Sequence, residues 1–131
     1  MIKEDNMHSA KILDNNYNSI EGSFIYYLHE ESKFDKVSFW KYYNCLREIA
    51  LQSINKGIDR DVSIKINVTY RFILESILYH FAPDDLYRIK NFPRKKYNLY
   101  LERLRYAVDG YFSGYIMDES AFGNELKNPI A

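Results

Sequence analysis

The side chains that could carry out chemistry in this sequence are few, and their spacing matches no common type of active site. The chain has three histidines, His8, His29 and His80, and a single cysteine, Cys45. No two of them stand at the short intervals typical of zinc ligands. His29 with Glu30 could supply a general base and its orienting group, but histidines in such positions are more often structural. The sequence therefore predicts a protein that is not an enzyme and that needs no cofactor or metal.

A second set of residues that could bind a ligand is basic and lies between positions 88 and 105. Basic side chains interleaved with aromatic rings suit single-stranded nucleic acid. The whole chain is neutral, however, with 18 basic and 18 acidic residues, so it has no overall field that attracts phosphate. We interpret the set as a solvated face and expect no direct nucleic-acid contact; a nucleic-acid-binding module using this surface is the alternative. The set comprises Arg88, Lys90, Arg94, Lys95, Lys96, Arg103 and Arg105, with Tyr97 among them.

The cysteine count and the hydropathy pattern bear on the compartment. A single cysteine cannot form an internal disulfide, which favours a reducing environment. The N-terminal residues lack the apolar run of a secretory signal, and no segment has the uninterrupted apolar length of a membrane span. We therefore expect a cytoplasmic protein without a membrane partner.

The longest apolar stretch covers residues 62–81 and is the one around which the other elements are expected to pack. Its apolar side chains fall on two arcs at helical spacing, the pattern of a helix packed on two sides. Alternation of β-branched and polar residues from Val62 to Val68 is also typical of a strand. No other segment alternates over a comparable length to pair with it, so we predict a central helix. Arg71 on this helix is expected to be partly buried and paired with Glu75 or Glu102.

Periodicity, capping residues and prolines predict the remaining elements. The predicted helices cover residues 19–31, capped by Ser19, residues 36–56, capped by Asp35, the short segment 84–91, and a long last helix from Pro93. Residues 1–16 are expected to form a loosely held arm, and residues 117–131 an extended tail. The sequence thus predicts an all-α fold: a single domain of about five helices around a central apolar helix. Gly110 and Gly114 are expected to let the last helix end against the first, near Gly22.

Separated motifs along most of the chain resemble one protein family. The chain is similar to the small helical immunity proteins of bacterial polymorphic toxin systems, in the family numbered 41, which accompany toxins including those of contact-dependent growth inhibition. Residues 52–65 depart from that pattern. The matching residues are Gly22-Ser23-Phe24-Ile25, Leu28-His29-Glu30-Glu31-Ser32, Phe34-Asp35, Trp40, Arg71-Phe72, His80-Phe81 with Pro83 and Asp85, Glu102-Arg103-Leu104, Gly110-Tyr111-Phe112-Ser113-Gly114 and Asn128-Pro129.

The resemblance implies a helical protein of bacterial competition that binds and neutralises the C-terminal domain of its cognate toxin in the cytoplasm. We expect that toxin to be a nuclease, most simply an RNase, whose substrate surface must be basic to bind phosphate. An inhibitor that covers such a surface needs carboxylates, with aromatic anchors that exclude water. The residues predicted to bind the partner are Glu30, Glu31, Asp35, Asp84, Asp85, Asp118 and Glu119, with Tyr111 and Tyr115 as anchors.

Overall fold

The computed structural model describes residues 2–130, and the side chains from residue 8 onward. Residue 1 of the predicted arm and residue 131 of the predicted tail lie outside the described residues. Five α-helices are present: α1 (Ile2–Tyr17), α2 (Phe24–Glu30), α3 (Lys36–Ser53), α4 (Arg60–Phe81) and α5 (Tyr97–Ser113), followed by one short 3-10 turn at Glu119–Ala121. Between residues 2 and 130 the only β-type pairing is an isolated bridge between Lys33 and Lys90. The predicted all-α single-domain fold is confirmed, and residues 62–68 are helical.

The helix at the centre of the domain is α3 and not the more apolar α4. Helix α3 packs most extensively against α1 and α5 and buries a broad face that includes Tyr42 and Tyr43. Tyr42 can lie inside because its hydroxyl is 2.6 Å from Thr69 Oγ1 of α4, which satisfies both polar groups. Helix α4 buries one face only: Tyr79, on the predicted second arc, is 51% exposed, and Leu78, outside both arcs, is 70% exposed. The prediction of a central α4 is therefore wrong, because α3, which is less apolar, packs more extensively against its neighbours and buries large aromatic residues at its centre.

Helix α1 covers the segment predicted to be a loose arm, and that prediction is wrong for the part with described side chains. Leu13 and Asn16 are both buried. The Asn16 amide donates to the carbonyl of Ile12 (2.9 Å), and its Oδ1 accepts a hydrogen bond from the backbone N–H of Ile25 (3.1 Å). One polar side chain thus connects α1 to the first turn of α2, where free N–H groups need acceptors.

Helix α2 begins later than predicted. Ser23, not Ser19, is its N-cap, and the Ser23 hydroxyl accepts a hydrogen bond from the N–H of Tyr26 (3.2 Å). Ser19 lies in the preceding turn with φ of 53°. The predicted start of α3 is confirmed, because Asp35 accepts a hydrogen bond from the N–H of Ser38 at 2.9 Å.

The predicted helix 84–91 does not exist; these residues form an irregular segment that follows α4. The N–H groups that such a helix would use are bonded elsewhere: Tyr87 N–H donates to Asp85 Oδ1 (2.7 Å), and Ile89 N–H donates to His80 Nδ1 (2.8 Å). Lys90 pairs with the chain at residues 32–34. Five helices are predicted and five are observed between residues 2 and 130, but the two sets differ. Helix α1 is not among the predicted ones, and the predicted helix 84–91 is absent. Helix α5 likewise begins at Tyr97 rather than at Pro93.

The C-terminal tail is not helical apart from its 3-10 turn, as expected, but it is firmly attached to α3 and α5. Arg103 of α5 bonds both to Glu119 and to the backbone carbonyl of Leu126. Farther along, the side-chain amides of Asn128 and Asn44 exchange two hydrogen bonds, at 2.7 and 3.2 Å. The tail therefore acts as a strap across the two helices.

The glycines of α5 serve this tail and not the first helix. A Cβ on Gly110 would lie 3.3 Å from both Ile116 Cγ1 and the carbonyl oxygen of Tyr115, so glycine lets the chain fold back there. Gly114 ends α5 in the left-handed conformation, with φ of 79°. A Cβ on Gly22 would meet no atom within 4 Å. The predicted packing of these glycines against one another is therefore wrong.

Candidate functional site

The residues predicted to bind a partner do not lie together, and Tyr111 is the clearest case. It is buried, its hydroxyl donates to the carbonyl of Asp59 (3.2 Å) and lies 3.0 Å from Ser63 Oγ at the start of α4. At 1.5 Å per residue, Ser63 is about 27 Å along α4 from Phe81, beyond which Asp84 follows. Tyr111 therefore cannot anchor a partner at the surface that includes Asp84, and its predicted role is wrong.

Glu119 is also used inside the protein. One of its oxygens is 2.5 Å from the Arg103 guanidinium, and the other is 3.4 Å from that of Arg47 and accepts a hydrogen bond from the Tyr43 hydroxyl (2.8 Å). Burial, together with this carboxylate, raises the pKa of Tyr43. The side chain of Glu119 is 20% exposed, and both of its oxygens are occupied. Its predicted role as a partner contact is therefore wrong.

Three further predicted residues are Asp35, Asp118 and Tyr115, of which the first two cap helical turns. Asp35 is the N-cap of α3. Asp118 caps the 3-10 turn, and hydrogen bonds from Ser120 lower its pKa. Tyr115 is 78% exposed, but it lies beside the tail, next to the residue that Gly110 accommodates. These residues do not form one site with the remaining carboxylates.

The four remaining carboxylates lie at two helix ends that meet. Glu30 and Glu31 stand at the C-terminal end of α2, and Asp84 and Asp85 follow the C-terminal end of α4. Between these ends is a groove of about 310 Å³, here called the acidic groove. The hydroxyl of Tyr87 donates to the carbonyl of Leu28 (2.8 Å) and ties the segment after α4 to α2. Asp85 is the one of these four carboxylates that lines the groove. The lining residues are Leu28, His29, Phe72, Glu75, Ser76, Tyr79, Asp85 and Tyr87.

Exposed apolar side chains accompany these carboxylates, and sequence reasoning missed them. Leu86 directly follows Asp84 and Asp85 and is 98% exposed. Leu78 and Tyr79, near the end of α4, are 70% and 51% exposed. Exposed apolar groups rimmed by charge are typical of interaction surfaces. For Tyr79 the sequence carries a signal, the second apolar arc of α4, which predicts a buried face; it carries none for Leu78 or Leu86.

The arginine expected to be partly buried is exposed, and another arginine is buried instead. Arg71 and Glu75 form a 3.6 Å ion pair one turn apart on α4, and both side chains are more than half exposed. A pair of this kind contributes little to stability. Arg103, which the pattern of α5 places on the charged face, is 4% exposed.

His80 has a structural role. Its Nδ1 accepts the hydrogen bond from Ile89, so the ring is neutral with its proton on Nε2, and it stacks on Phe92 with ring centres 4.4 Å apart. Burial, with the nearby positive charges of Arg88 and Arg94, lowers the pKa of His80. The hydrogen bond from Ile89, the burial and the nearby arginines all favour the neutral ring.

The other candidates for chemistry are not assembled into a site. His29 Nε2 lies 3.6 Å from Glu30 Oε1 at the surface, with both side chains more than half exposed. Cys45 is buried, and burial raises the pKa of its thiol, which keeps it protonated. Among the side chains of residues 8–130, no three of His, Cys, Asp or Glu converge as metal ligands would.

The basic set between residues 88 and 105 is partly used within the protein. Arg103 is buried, Arg88 donates to two backbone carbonyls of its own segment, and Lys96 donates to the carbonyl of Glu125 (2.7 Å). All of its basic members except Arg103 are exposed, and Lys90, Arg94, Lys95 and Arg105 are those for which no side-chain hydrogen bond within the described chain is found.

None of the helices in the described part of the chain is both long enough and apolar enough to cross a membrane.

Comparisons with known proteins identify no relative. No protein-family model matches the chain, and neither a curated protein nor a solved structure is similar to it. The resemblance of its motifs to immunity proteins therefore stays a prediction.

Proposed function

We propose that the protein is an immunity protein that binds a cognate toxin domain in the cytoplasm and blocks its substrate surface. The toxin domain is proposed to be a nuclease, most simply an RNase, with a basic surface for phosphate. The observation that carries the proposal is the acidic groove itself, which lies between the end of α2 and α4 and is lined by Glu75 and Asp85. Glu30, Glu31, Asp84 and the exposed Leu86 stand within two residues of its lining residues in the sequence.

The position of the carboxylates is unfavourable for the fold. The C-terminal end of a helix carries partial negative charge, so acidic side chains there destabilise it and basic ones stabilise it. Glu30 and Glu31 nevertheless occupy the end of α2, where both are exposed; among the described residues neither pairs with a lysine or arginine, and Glu30 lies 3.6 Å from His29. These carboxylates destabilise the end of the free helix, but they would attract a basic partner. This supports a role in binding.

The exposed apolar residues would supply most of the binding energy, which the carboxylates alone cannot. Charges at the rim steer a partner and select it, whereas most binding energy comes from a few desolvated anchors. Leu86 is exposed over almost its whole surface, so it stabilises the free protein little and offers its apolar area to a partner. Inhibition requires no catalysis by this chain, since covering the basic surface excludes the nucleic acid.

Co-expression tests this function. The toxin domain encoded beside the gene of this protein should arrest bacterial growth when expressed alone and should not do so when expressed with this protein. Leu86→Ala should weaken affinity about tenfold or more, the loss typical of a central anchor, and should reduce protection at low expression. Val37→Ala is the matched control, because Val37 is 65% exposed on α3, away from the groove. Absence of protection by the wild-type protein would contradict the proposal.

A further inference from the structure

We infer that the acidic groove binds an arginine side chain of the partner. The inference rests on the proposed function for the source of that side chain, the basic toxin domain. Its support is separate: the composition of the groove, in which carboxylates and aromatic rings line one cavity.

The charges of the groove suit a cation. Glu75 and Asp85 both line it, and no lysine or arginine of the described chain does so. The hydrogen bond from Tyr87 N–H occupies Oδ1 of Asp85, which leaves Oδ2 to accept another. Glu75 is held only by the exposed 3.6 Å pair with Arg71, which a better placed cation can replace.

The walls of the groove favour a guanidinium over an ammonium group. Phe72, Tyr79 and Tyr87 are aromatic, and Leu28, His29 and Ser76 also line the groove. A guanidinium is planar and stacks on aromatic rings. It is also more weakly hydrated than an ammonium group, so less hydration free energy is lost when it is buried. It also presents several donors in one plane, so it can bond to two carboxylates at once. Of the cationic side chains, arginine therefore fits these walls best.

Titration with a small probe tests the groove without the toxin. The probe is N-acetyl-L-arginine amide, added to the wild-type protein and followed through backbone amide shifts by NMR. A ligand of this size should bind with a Kd on the order of 1 mM and shift the amides of residues 28–31 and 75–87. N-acetyl-L-lysine amide should bind at least about threefold more weakly. The neutral citrulline analogue, which has nearly the same shape, should give no groove shifts.

Two substitutions on the same face of α4 should act in opposite directions. Glu75→Gln removes a carboxylate and should weaken binding of the arginine probe about threefold to tenfold. Arg71→Gln removes the side chain that competes for Glu75 and should strengthen binding of the arginine probe about twofold. Glu102→Gln, an exposed change on α5, is the control and should leave binding unchanged.

The outcomes separate this inference from the proposed function. No groove shifts with the arginine probe, or equal binding of the lysine or citrulline probe, would overturn the arginine site even if co-expression protects the cell. Binding of the arginine probe without protection in co-expression would contradict the proposed function and leave the groove as a guanidinium site.

Discussion

Arg103 shows how one buried charge can organise a segment of chain. The side chain is 4% exposed, and a cation so far from water needs compensating partners. Glu119 supplies the opposite charge, the carbonyl of Leu126 accepts a second hydrogen bond, and the ring of Phe122 lies 4.1 Å from the guanidinium carbon. All three partners come from the tail. Arg103 is therefore one main attachment of the tail, beside the Asn44–Asn128 pair and the contacts of Tyr43 and Arg47 with Glu119.

Loss of the Glu119 charge should destabilise the protein strongly. Glu119→Gln leaves Arg103 buried without a counter-ion, and the free energy of unfolding should fall by about 3 kcal/mol. Urea unfolding measures this change. The control is Glu102→Gln on α5, where an exposed carboxylate should matter by less than about 0.5 kcal/mol. Equal stability of the two variants would mean that the pair is not needed for folding, and would return Glu119 to the set of possible partner contacts.

The stability of the protein should depend on pH through His80. The pKa of His80 in the folded protein is lowered, so the unfolded chain takes up the proton first as pH falls. Stability should therefore be full well above the ordinary histidine pKa of about 6.5 and should decline as pH falls through that value. The decline ends below the lowered pKa of the folded state.

Comparison of the wild type with His80→Asn isolates this contribution. Asparagine offers an oxygen close to the position of Nδ1, so it can accept the hydrogen bond from Ile89 without titrating. The loss of unfolding free energy between about pH 7.5 and about pH 5 should be smaller in the variant. A loss that is the same in both proteins would show that His80 does not titrate with unfolding.

Helix boundaries could be predicted from the sequence where the capping partner is local, and not where it is distant. Asp35 caps the N–H of Ser38 three residues away, and the start of α3 was predicted correctly. The segment 84–91 has acidic residues at its start but no helix, because His80 from the preceding helix takes the Ile89 N–H. Helix α1 was missed because its support comes from contacts with other helices, among them the bond between Asn16 and Ile25.

The end of α5 should be sensitive to a single methyl group. Gly114 has φ of 79°, and a Cβ there would meet no atom within 4 Å, so Gly114→Ala tests backbone strain alone. The free energy of unfolding should fall by about 1 kcal/mol. Gly123→Ala is the matched control, because Gly123 also has open space but no left-handed φ, and stability should be unchanged or slightly higher. Equal effects of the two substitutions would show that the left-handed cap does not require glycine.

At the scale of the molecule, the sequence predicted which charged side chains lie at the surface better than which apolar side chains do. Of the predicted contacts Glu30, Glu31, Asp84 and Asp85, only Asp85 lines the acidic groove, and the other three are within two residues of lining residues in the sequence. The predicted aromatic anchor Tyr111 is buried, while Leu86 was not considered and is exposed. A charged side chain usually lies at the surface wherever the chain goes, but which apolar side chains remain outside depends on how the helices pack. Which apolar side chains stay exposed here depends on how α4 and the tail pack. The packing of neither was predicted correctly from the sequence.

The central claim is that the end of the molecule around the acidic groove meets a basic toxin domain. Its most direct test is the association rate of the toxin domain encoded beside this gene, measured by stopped flow at several salt concentrations. The compared variants are Glu30→Lys with Glu31→Lys, and Glu102→Lys with Glu125→Lys, which change the net charge equally. The first pair should not harm α2, because cations suit a helix C-terminal end.

The account predicts that reversal of Glu30 and Glu31 slows association about tenfold at low salt, and that the difference shrinks as salt rises. Reversal of Glu102 and Glu125, or of Arg94 and Lys95, should change the rate little. Slowing by the control pair to the same extent, or slowing by the Arg94→Glu and Lys95→Glu changes alone, would contradict the assignment of the binding surface to the acidic groove.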